Sequence, residues 1–169
     1  MRRLVPIAAS LALFAAPAAA QVDPDDWAPA FDACLAAEAD ARACVQAAYR
    51  PCTERMSPMG GSRAEGECLR IEAAFWMRRI TELHDTVLAK AIEEDAGRAH
   101  SGRRNSAVVT SALAAERSHW EAWRVAYCDV AGARGGIDGP SFDLAAGRCE
   151  LRLLADRYVF LRAWAHEGP

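Results

Sequence analysis

The residues with the clearest chemical potential in this sequence are its six cysteines, which are Cys34, Cys44, Cys52, Cys68, Cys128 and Cys149. A structural zinc site would need closely spaced pairs such as C-x2-C, and the sequence contains none. The redox motif C-x-x-C has this same spacing, so it is absent as well. The chain opens with a segment typical of export, and disulfides persist outside the cytoplasm. The cysteines therefore predict three disulfides.

Six cysteines allow fifteen pairings, and sequence alone does not select one. In an antiparallel helical hairpin, residues equidistant from the turn face each other, as a disulfide requires. Three pairs of successive cysteines have their midpoints at predicted turns, which are Ala39, Gly60 and the Asp138-Gly139 step. This symmetry favours a sequential pairing, which is Cys34–Cys44, Cys52–Cys68 and Cys128–Cys149.

The other polar residues form no catalytic or cofactor-binding pattern. The histidines lack the H-x3-H spacing of a metal site; they are His84, His100, His119 and His166. The glycine-rich stretch 132–139 follows a predicted helix and lacks Lys-Ser/Thr, so it is no phosphate-binding loop. The run Glu93-Glu94-Asp95 is typical of a solvated helix face rather than of two facing glycosidase carboxylates. We expect no enzyme, no cofactor and no metal.

Helices must position these residues. The chain is rich in Ala, Leu, Arg and Glu, and it has no sustained period-two run of β-branched residues. Two short helices are predicted at 28–38 and 42–49, and the second is expected to end before Pro51. A loop with Ser57-Pro58 and Gly60-Gly61 follows.

Three longer helices are predicted after this loop. The longest covers about 62–97, opens on a capping box of Ser62 and Glu65, and carries one stripe at four-three spacing: Leu69, Ala73, Trp76, Ile80, Leu83 and Val87. The next covers about 106–131, with the stripe Val109, Leu113, Glu116, Trp120, Trp123 and Tyr127. A glycine-rich turn at 132–140 leads to the last, with Leu144, Leu151, Leu154, Tyr158 and Leu161.

These stripes must be buried against one another, which predicts an all-α antiparallel helical bundle, stapled by disulfides, with one long helix and no sheet. Trp76, Trp120 and Tyr158 are expected to form one buried cluster, because they lie on the stripes of three different helices. The same face of the second long helix carries Trp120, Arg124 and Cys128, which we interpret as a core indole, an arginine paired with a carboxylate, and a half-cystine.

The first twenty residues predict a signal peptide. A basic start (Arg2 and Arg3), an apolar run and small residues up to Ala20 indicate cleavage before Gln21. Removing two arginines and no acid changes the formal charge from −3 to −5. This acidic balance disfavours a nucleic-acid partner, and no other segment is apolar enough to span a membrane. We expect a single helical domain over 21–169, located in the periplasm or secreted, with no lipid anchor at the cleavage site.

One segment resembles the signature L-x3-Q-x2-W-x2-[YF]-R-x3-C of the LprI-type lysozyme-inhibitor family. It is Leu113-x3-Arg117-x2-Trp120-x2-Trp123-Arg124-x3-Cys128, with Arg117 where the family has Gln. The later family pattern, a Gly-rich turn and then C-x7-R-x3-L, is matched by Gly135-Gly136, Cys149, Arg157 and Leu161. The upstream pattern, a cysteine pair and a long helix, is similar to Cys52, Cys68 and Glu72-x3-Trp76. The resemblance covers about residues 52–161.

The resemblance implies a protein that binds and inhibits a lysozyme without chemistry of its own. Lysozymes of the animal type are strongly basic, so an acidic mature chain suits such a partner. A partner-binding loop is expected at the glycine-rich turn, at Gly135, Asp138 and Ser141. The alternative is a structural or adaptor module that binds another cell-envelope protein and never meets lysozyme, since family membership carries fold more reliably than function. The oligomeric state stays open.

Overall fold

The computed structural model describes residues 23–101, 108–136 and 138–167. These residues form five α-helices: α1 (Ala28–Ala37), α2 (Tyr49–Met56), α3 (Gly61–His100), α4 (Val108–Gly135) and α5 (Gly139–Glu167). Short 3-10 turns lie at Pro24–Trp27, Ala41–Cys44 and Ser57–Met59. The predicted signal peptide, residues 1–20, lies outside the described residues.

The predicted all-α, disulfide-stapled bundle with one long helix is confirmed, and the described residues contain no strand. The long helix, α3, spans 40 residues. α5 packs along α3, and α4 packs mainly against α5 and less extensively against α3. No helix in the described part of the chain combines the length and the apolar character needed to cross a membrane.

The core forms around Trp76, whose side chain is fully buried on α3. Phe31 of α1 meets its indole edge-on with ring centroids 4.8 Å apart, and Tyr158 of α5 does so at 5.6 Å. The α3 stripe predicted from the sequence faces this core: Leu69, Ile80 and Val87 are buried, and Ala73 and Leu83 are half-buried. Leucines of α5 complete it, namely Leu151, Leu154 and Leu161.

The three disulfides join successive cysteines. Cys34–Cys44 ties α1 to the following 3-10 turn, Cys52–Cys68 ties α2 to α3, and Cys128–Cys149 ties α4 to α5. Their Cα–Cα distances are 5.7, 5.7 and 5.5 Å, within the usual range for a disulfide. No described cysteine is free.

The short helix predicted at 42–49 is wrong. A 3-10 turn occupies Ala41–Cys44, and α2 begins only at Tyr49. Pro51 therefore lies in the first turn of α2 instead of ending a helix. Proline is tolerated there because the first backbone N–H groups of a helix have no partner within the helix.

A buried acid on α3 explains where α2 begins. The carboxylate of Glu72, whose exposed fraction is 0%, accepts hydrogen bonds from the backbone N–H groups of Gln46 at 2.6 Å, Ala48 at 3.0 Å and Tyr49 at 2.7 Å. These groups precede or open α2, where N–H groups need an external acceptor. Burial raises the pKa of Glu72, and the same hydrogen bonds oppose the rise.

The predicted capping box of Ser62 and Glu65 is also wrong. α3 begins at Gly61, one residue earlier, and no side chain caps this end. Gly60, which precedes it, has a φ of +96°, a region that favours glycine. Glu65 instead forms an ion pair with Arg148 of α5 at 3.3 Å, which links the start of α3 to α5.

The glycine-rich turn predicted at 132–140 is mostly helical. α4 continues to Gly135, and α5 starts at Gly139. A Cβ atom at Gly132 would lie 2.8 Å from the ring of Phe142, and one at Gly135 would lie 2.5 Å from the Cβ of Ala145. These glycines are therefore needed for close contact between two helices rather than for a loop.

The acidic run near the end of α3 is only partly solvated. Glu93 is exposed, but Asp95 is 6% exposed and points toward the start of α4. Its carboxylate accepts hydrogen bonds from the backbone N–H groups of Val109 at 3.1 Å and Thr110 at 2.9 Å, and from the Thr110 hydroxyl at 2.7 Å. Burial opposes ionisation, but these hydrogen bonds outweigh it and lower the pKa of Asp95. Asp95 thus caps α4 from another helix.

Candidate functional site

The motif residues of α4 and α5 meet around the indole of Trp120. The guanidinium of Arg157, a residue only 5% exposed, lies 5.0 Å from the Trp120 ring centroid, and that of Arg124 lies 5.5 Å from it. Trp120 is half-buried at the edge of the core. Of the three residues expected to form one buried cluster, Trp76 and Tyr158 are in ring contact, whereas Trp120 is only partly buried against the core and lies beside two arginine cations.

Two ion pairs connect α4 to α5 at this point. Both terminal nitrogens of Arg157 donate hydrogen bonds to the carboxylate of Glu116, with Nη2 2.6 Å from Oε2. Arg124 forms the second ion pair, with Glu150. Two-pronged arginine–carboxylate contacts are among the stronger hydrogen-bonded pairs. The Cys128–Cys149 disulfide lies one turn beyond Arg124 on α4. Leu113 and Leu161, the remaining motif residues on the inner side, are fully buried. Most motif residues therefore fix α4 to α5 and to the core.

A cleft of about 420 Å³ opens between α3 and α4, with α5 beside them. Small residues make up much of its lining, namely Gly66, Ala73 and Ala74 of α3 and Ala146 and Gly147 of α5. A partner side chain can enter such a space because little fills it. The α4 wall consists of Arg124, Val125, Cys128 and Asp129, so it includes two of the motif residues.

The charges of the cleft are unevenly neutralised. Of the basic residues that line it, Arg124 is paired with Glu150, and Arg70 is paired with the glutamate three residues before it on α3. Asp129 and Asp143 also line the cleft and are exposed, and neither has an ion-pair partner among the described residues. The cleft therefore presents two free carboxylates to a partner.

Sequence reasoning does not single out Asp129 or Asp143. A partial signal exists in the cysteine spacing, because the hairpin that pairs Cys128 with Cys149 places Asp129 opposite the third turn of α5, one to two turns from Asp143. Nothing in the sequence indicates that a cleft opens between α3 and α4 at this level, because the width of the cleft depends on how these two helices pack.

The outer side of α4 carries exposed apolar residues. Trp123, a motif residue, is 49% exposed and stacks on Tyr127 with ring centroids 5.1 Å apart. The prediction that Trp123 and Tyr127 lie on the buried stripe of α4 is wrong. α4 buries the line through Leu113 and Cys128 instead, and Trp123 and Tyr127 lie beside this line on the solvent side.

A buried histidine lies where α3 faces α4. His84 is 6% exposed, and its Nδ1 is 3.5 Å from Nη1 of Arg117, the residue that replaces the family's Gln. Its Nε2 has no hydrogen-bond partner among the described residues. Burial, and then the positive charges of Arg117 and Arg157, lower the pKa of His84. These effects favour the neutral form of His84, and the described residues include no group of side chains that could hold a metal ion with it.

The loop expected to bind a partner is a short connection. Gly135 is the last residue of α4, Asp138 is exposed between the helices, and Ser141 lies in the first turn of α5. Ser141 is two residues before Asp143, so this connection lies at the same end of the hairpin as the cleft. Its role in binding stays a prediction.

The fold and the site define a disulfide-stapled α-helical bundle in which an arginine–tryptophan cluster joins two antiparallel helices beside an acidic cleft. The sequence model of the family described as Lysozyme inhibitor LprI matches residues 52–161, which is more than half of the chain. The chain belongs to this family, in agreement with the resemblance of its motifs. No curated protein and no solved structure matches the chain.

Proposed function

We propose that this protein is exported from the cytoplasm, binds a lysozyme and blocks the enzyme's access to the cell wall. Membership of the lysozyme inhibitor LprI family is the observation that carries this proposal. Inhibition proceeds by occupation of the lysozyme surface, so the inhibitor performs no reaction of its own.

Export is supported by the signal-peptide pattern of residues 1–20 and by the three disulfides of the helical bundle. Such bonds form and persist in oxidising compartments and are rare in the cytosol. In this proposal the mature chain begins near Gln21, forms one helical domain, and meets its partner in the periplasm or outside the cell.

The partner is proposed to be a basic lysozyme that contacts the acidic cleft. The mature chain has a formal charge of −5, because cleavage removes two arginines and no acid from a chain of charge −3. Asp129 and Asp143 are carboxylates without ion-pair partners in the described part of the chain, so a lysine or arginine of the partner can pair with them without displacing an existing ion pair. Complementary charge also accelerates the encounter of two proteins.

A turbidity assay of cell-wall lysis tests this proposal. The purified mature protein is mixed with several lysozymes, and the initial rate of lysis is measured. We expect inhibition of a basic lysozyme that is weakened at least about tenfold in the double variant Asp129→Asn/Asp143→Asn, the effect of losing roughly 1.4 kcal/mol of binding. Glu93→Gln is the matched control, since Glu93 is exposed on α3 and does not line the cleft.

The results test lysozyme as the partner and the cleft as the contact surface independently of each other. Lack of inhibition for every lysozyme type at micromolar protein would reject the proposed function. Equal inhibition by the wild type and by the double aspartate variant would keep the function and reject the cleft.

A second function, that of an adaptor for another cell-envelope protein, is favoured by the exposed apolar side of α4. Trp123, Tyr127 and Val130 are each about half exposed. Contiguous exposed apolar surface is typical of protein-binding sites. Absence of lysozyme inhibition, together with loss of binding to an envelope protein in Trp123→Ala, would support this function over the first.

A further inference from the structure

An uncharged strip runs along the solvent-exposed side of α4. It is defined by Ala112, Ala115, His119, Trp123, Ala126 and Val130, all of which are exposed. Their spacings of three and four residues place them along one side of a helix. Val108, 47% exposed, and Ala133 extend the strip to both ends of α4. An exposed helix side normally carries charged residues, so a strip of this length without Asp, Glu, Lys or Arg indicates a surface that is covered in the working protein.

The order of residues in the strip is complementary to itself when the helix is reversed. A twofold axis near the middle of α4 brings Val108 of one copy to Ala133 of the other, and Ala112 to Val130. Ala115 meets Ala126, and His119 meets the Ala122–Trp123 step. The valines at both ends face alanines and Ala115 faces Ala126, so the helices can approach closely there, while the two large residues, His119 and Trp123, pack against each other near the axis. A twofold interface needs a surface that fits itself in this way.

The strip is also large enough for a modest dimer. From Val108 to Ala133 a helix rises about 37 Å, and its side is about 10 Å wide. Trp123 and Tyr127, which flanks the strip, are each about half exposed, so each adds roughly 100 Å². Two copies then bury on the order of 800–1,400 Å², near the roughly 1,000 Å² that a specific interface needs.

Charge favours a second copy over a basic lysozyme as the occupant. The unpaired carboxylates that attract a basic protein line the cleft, whereas the strip has His119 as its single ionisable residue. Two identical uncharged strips meet without repulsion between like charges. We infer that the outer strip of α4 is the interface of a homodimer, in which two α4 helices pack antiparallel about a twofold axis. This inference is independent of lysozyme binding.

Sedimentation equilibrium of the mature protein from about 1 to 200 µM, around the micromolar range expected of a modest interface, tests the dimer. We expect a mass that rises to twice that of the monomer. Ala126→Glu puts a charge at the interface without removing a core contact, and it should raise the dissociation constant at least about 30-fold, the equivalent of roughly 2 kcal/mol. Ile92→Glu is the matched control, because Ile92 is 54% exposed on α3, and its dimer should be unchanged.

A charge pair tests the antiparallel register. In that register Ala115 faces Ala126 of the second copy, so adding Ala115→Lys to Ala126→Glu should restore the dimer. A parallel pair would bring each introduced charge against its own kind and would not be restored. A monomer at 200 µM, or a dimer unaffected by Ala126→Glu, would overturn the inference. A monomer whose inhibition of lysozyme is lost in Trp123→Glu would assign the strip to lysozyme instead.

Discussion

The indole N–H of Trp76 donates a hydrogen bond to the carboxylate of Glu72 at 3.3 Å, and both side chains are fully buried. The same carboxylate receives the backbone N–H groups that precede and open α2. One acid of the long helix therefore joins the aromatic core to the N-terminal segment. Glu72-x3-Trp76 belongs to the family resemblance, and this contact gives its spacing a structural reason.

Replacement of Glu72 should destabilise the N-terminal segment strongly. Glu72→Ala leaves three backbone N–H groups and one indole N–H without an acceptor, which should cost about 3 kcal/mol or more of the free energy of unfolding. Glu72→Gln keeps one acceptor oxygen and should lose less. Urea denaturation followed by tryptophan fluorescence measures both, with Glu93→Gln as the exposed control. A loss below about 1 kcal/mol in Glu72→Ala would contradict the capping role.

Removal of the Cys128–Cys149 disulfide should loosen the α4–α5 hairpin. Its cysteines are 21 residues apart, and those of Cys34–Cys44 are 10 apart. In the chain-entropy model, replacing both Cys128 and Cys149 by serine lowers the free energy of unfolding by about 3 kcal/mol, slightly more than the same change at the shorter Cys34–Cys44 loop.

Peptide mapping without reduction should yield the three sequential links. A crossed link such as Cys52–Cys128 would contradict the pairing.

Protonation of His84 should destabilise the protein at acidic pH. Burial, and then the charges of Arg117 and Arg157, lower the pKa of His84, while Asp85 and Glu116 act weakly in the opposite direction. Between the ordinary histidine pKa near 6.5 and the lower folded-state pKa, the unfolded chain binds a proton that the folded chain does not. The contribution of His84 is thus fully present above about pH 6.5 and is lost as the pH falls toward the folded-state pKa.

Urea unfolding at pH 7.5 and pH 5.5 measures this dependence. His84→Gln removes the titrating ring, so its free energy of unfolding should change less between the two pH values than that of the wild type. An identical change in both proteins would show that other groups cause the acid sensitivity. His100→Gln serves as the exposed control, since His100 lies on the surface at the end of α3.

The sequence predicts the parts of the fold that depend on local periodicity. Leu69, Trp76 and Ile80 lie on the core side of α3 as their spacing indicates. The start of α2 could not be predicted, because the acceptor that caps it is Glu72, which is distant in sequence. Trp123 illustrates the same limit at the site. Four-three spacing places Trp123 near the buried stripe, but the packing of α4 against α5 and α3 determines which side of that stripe is exposed.

Association with a basic lysozyme should slow as the salt concentration rises. Removal of the predicted signal peptide would change the formal charge from −3 to −5, and Asp129 and Asp143 present unpaired carboxylates at the cleft. At about 0.15 M ionic strength the screening length is roughly 8 Å, so long-range attraction weakens while contacts within the complex survive. The association rate constant should fall several-fold between about 0.02 and 0.3 M salt, with a smaller change in the dissociation rate constant.

Surface plasmon resonance at several salt concentrations separates the two rate constants. Asp129→Asn/Asp143→Asn should flatten the salt dependence of association, because it removes the charges nearest the proposed contact, and Glu93→Gln should alter it little. Ala126 lies about one helical turn from Asp129 on α4, so the acid added by Ala126→Glu should strengthen the salt dependence of association rather than flatten it. Binding that is independent of salt in the wild type would keep lysozyme as the partner and reject electrostatic attraction as the reason for the acidic cleft.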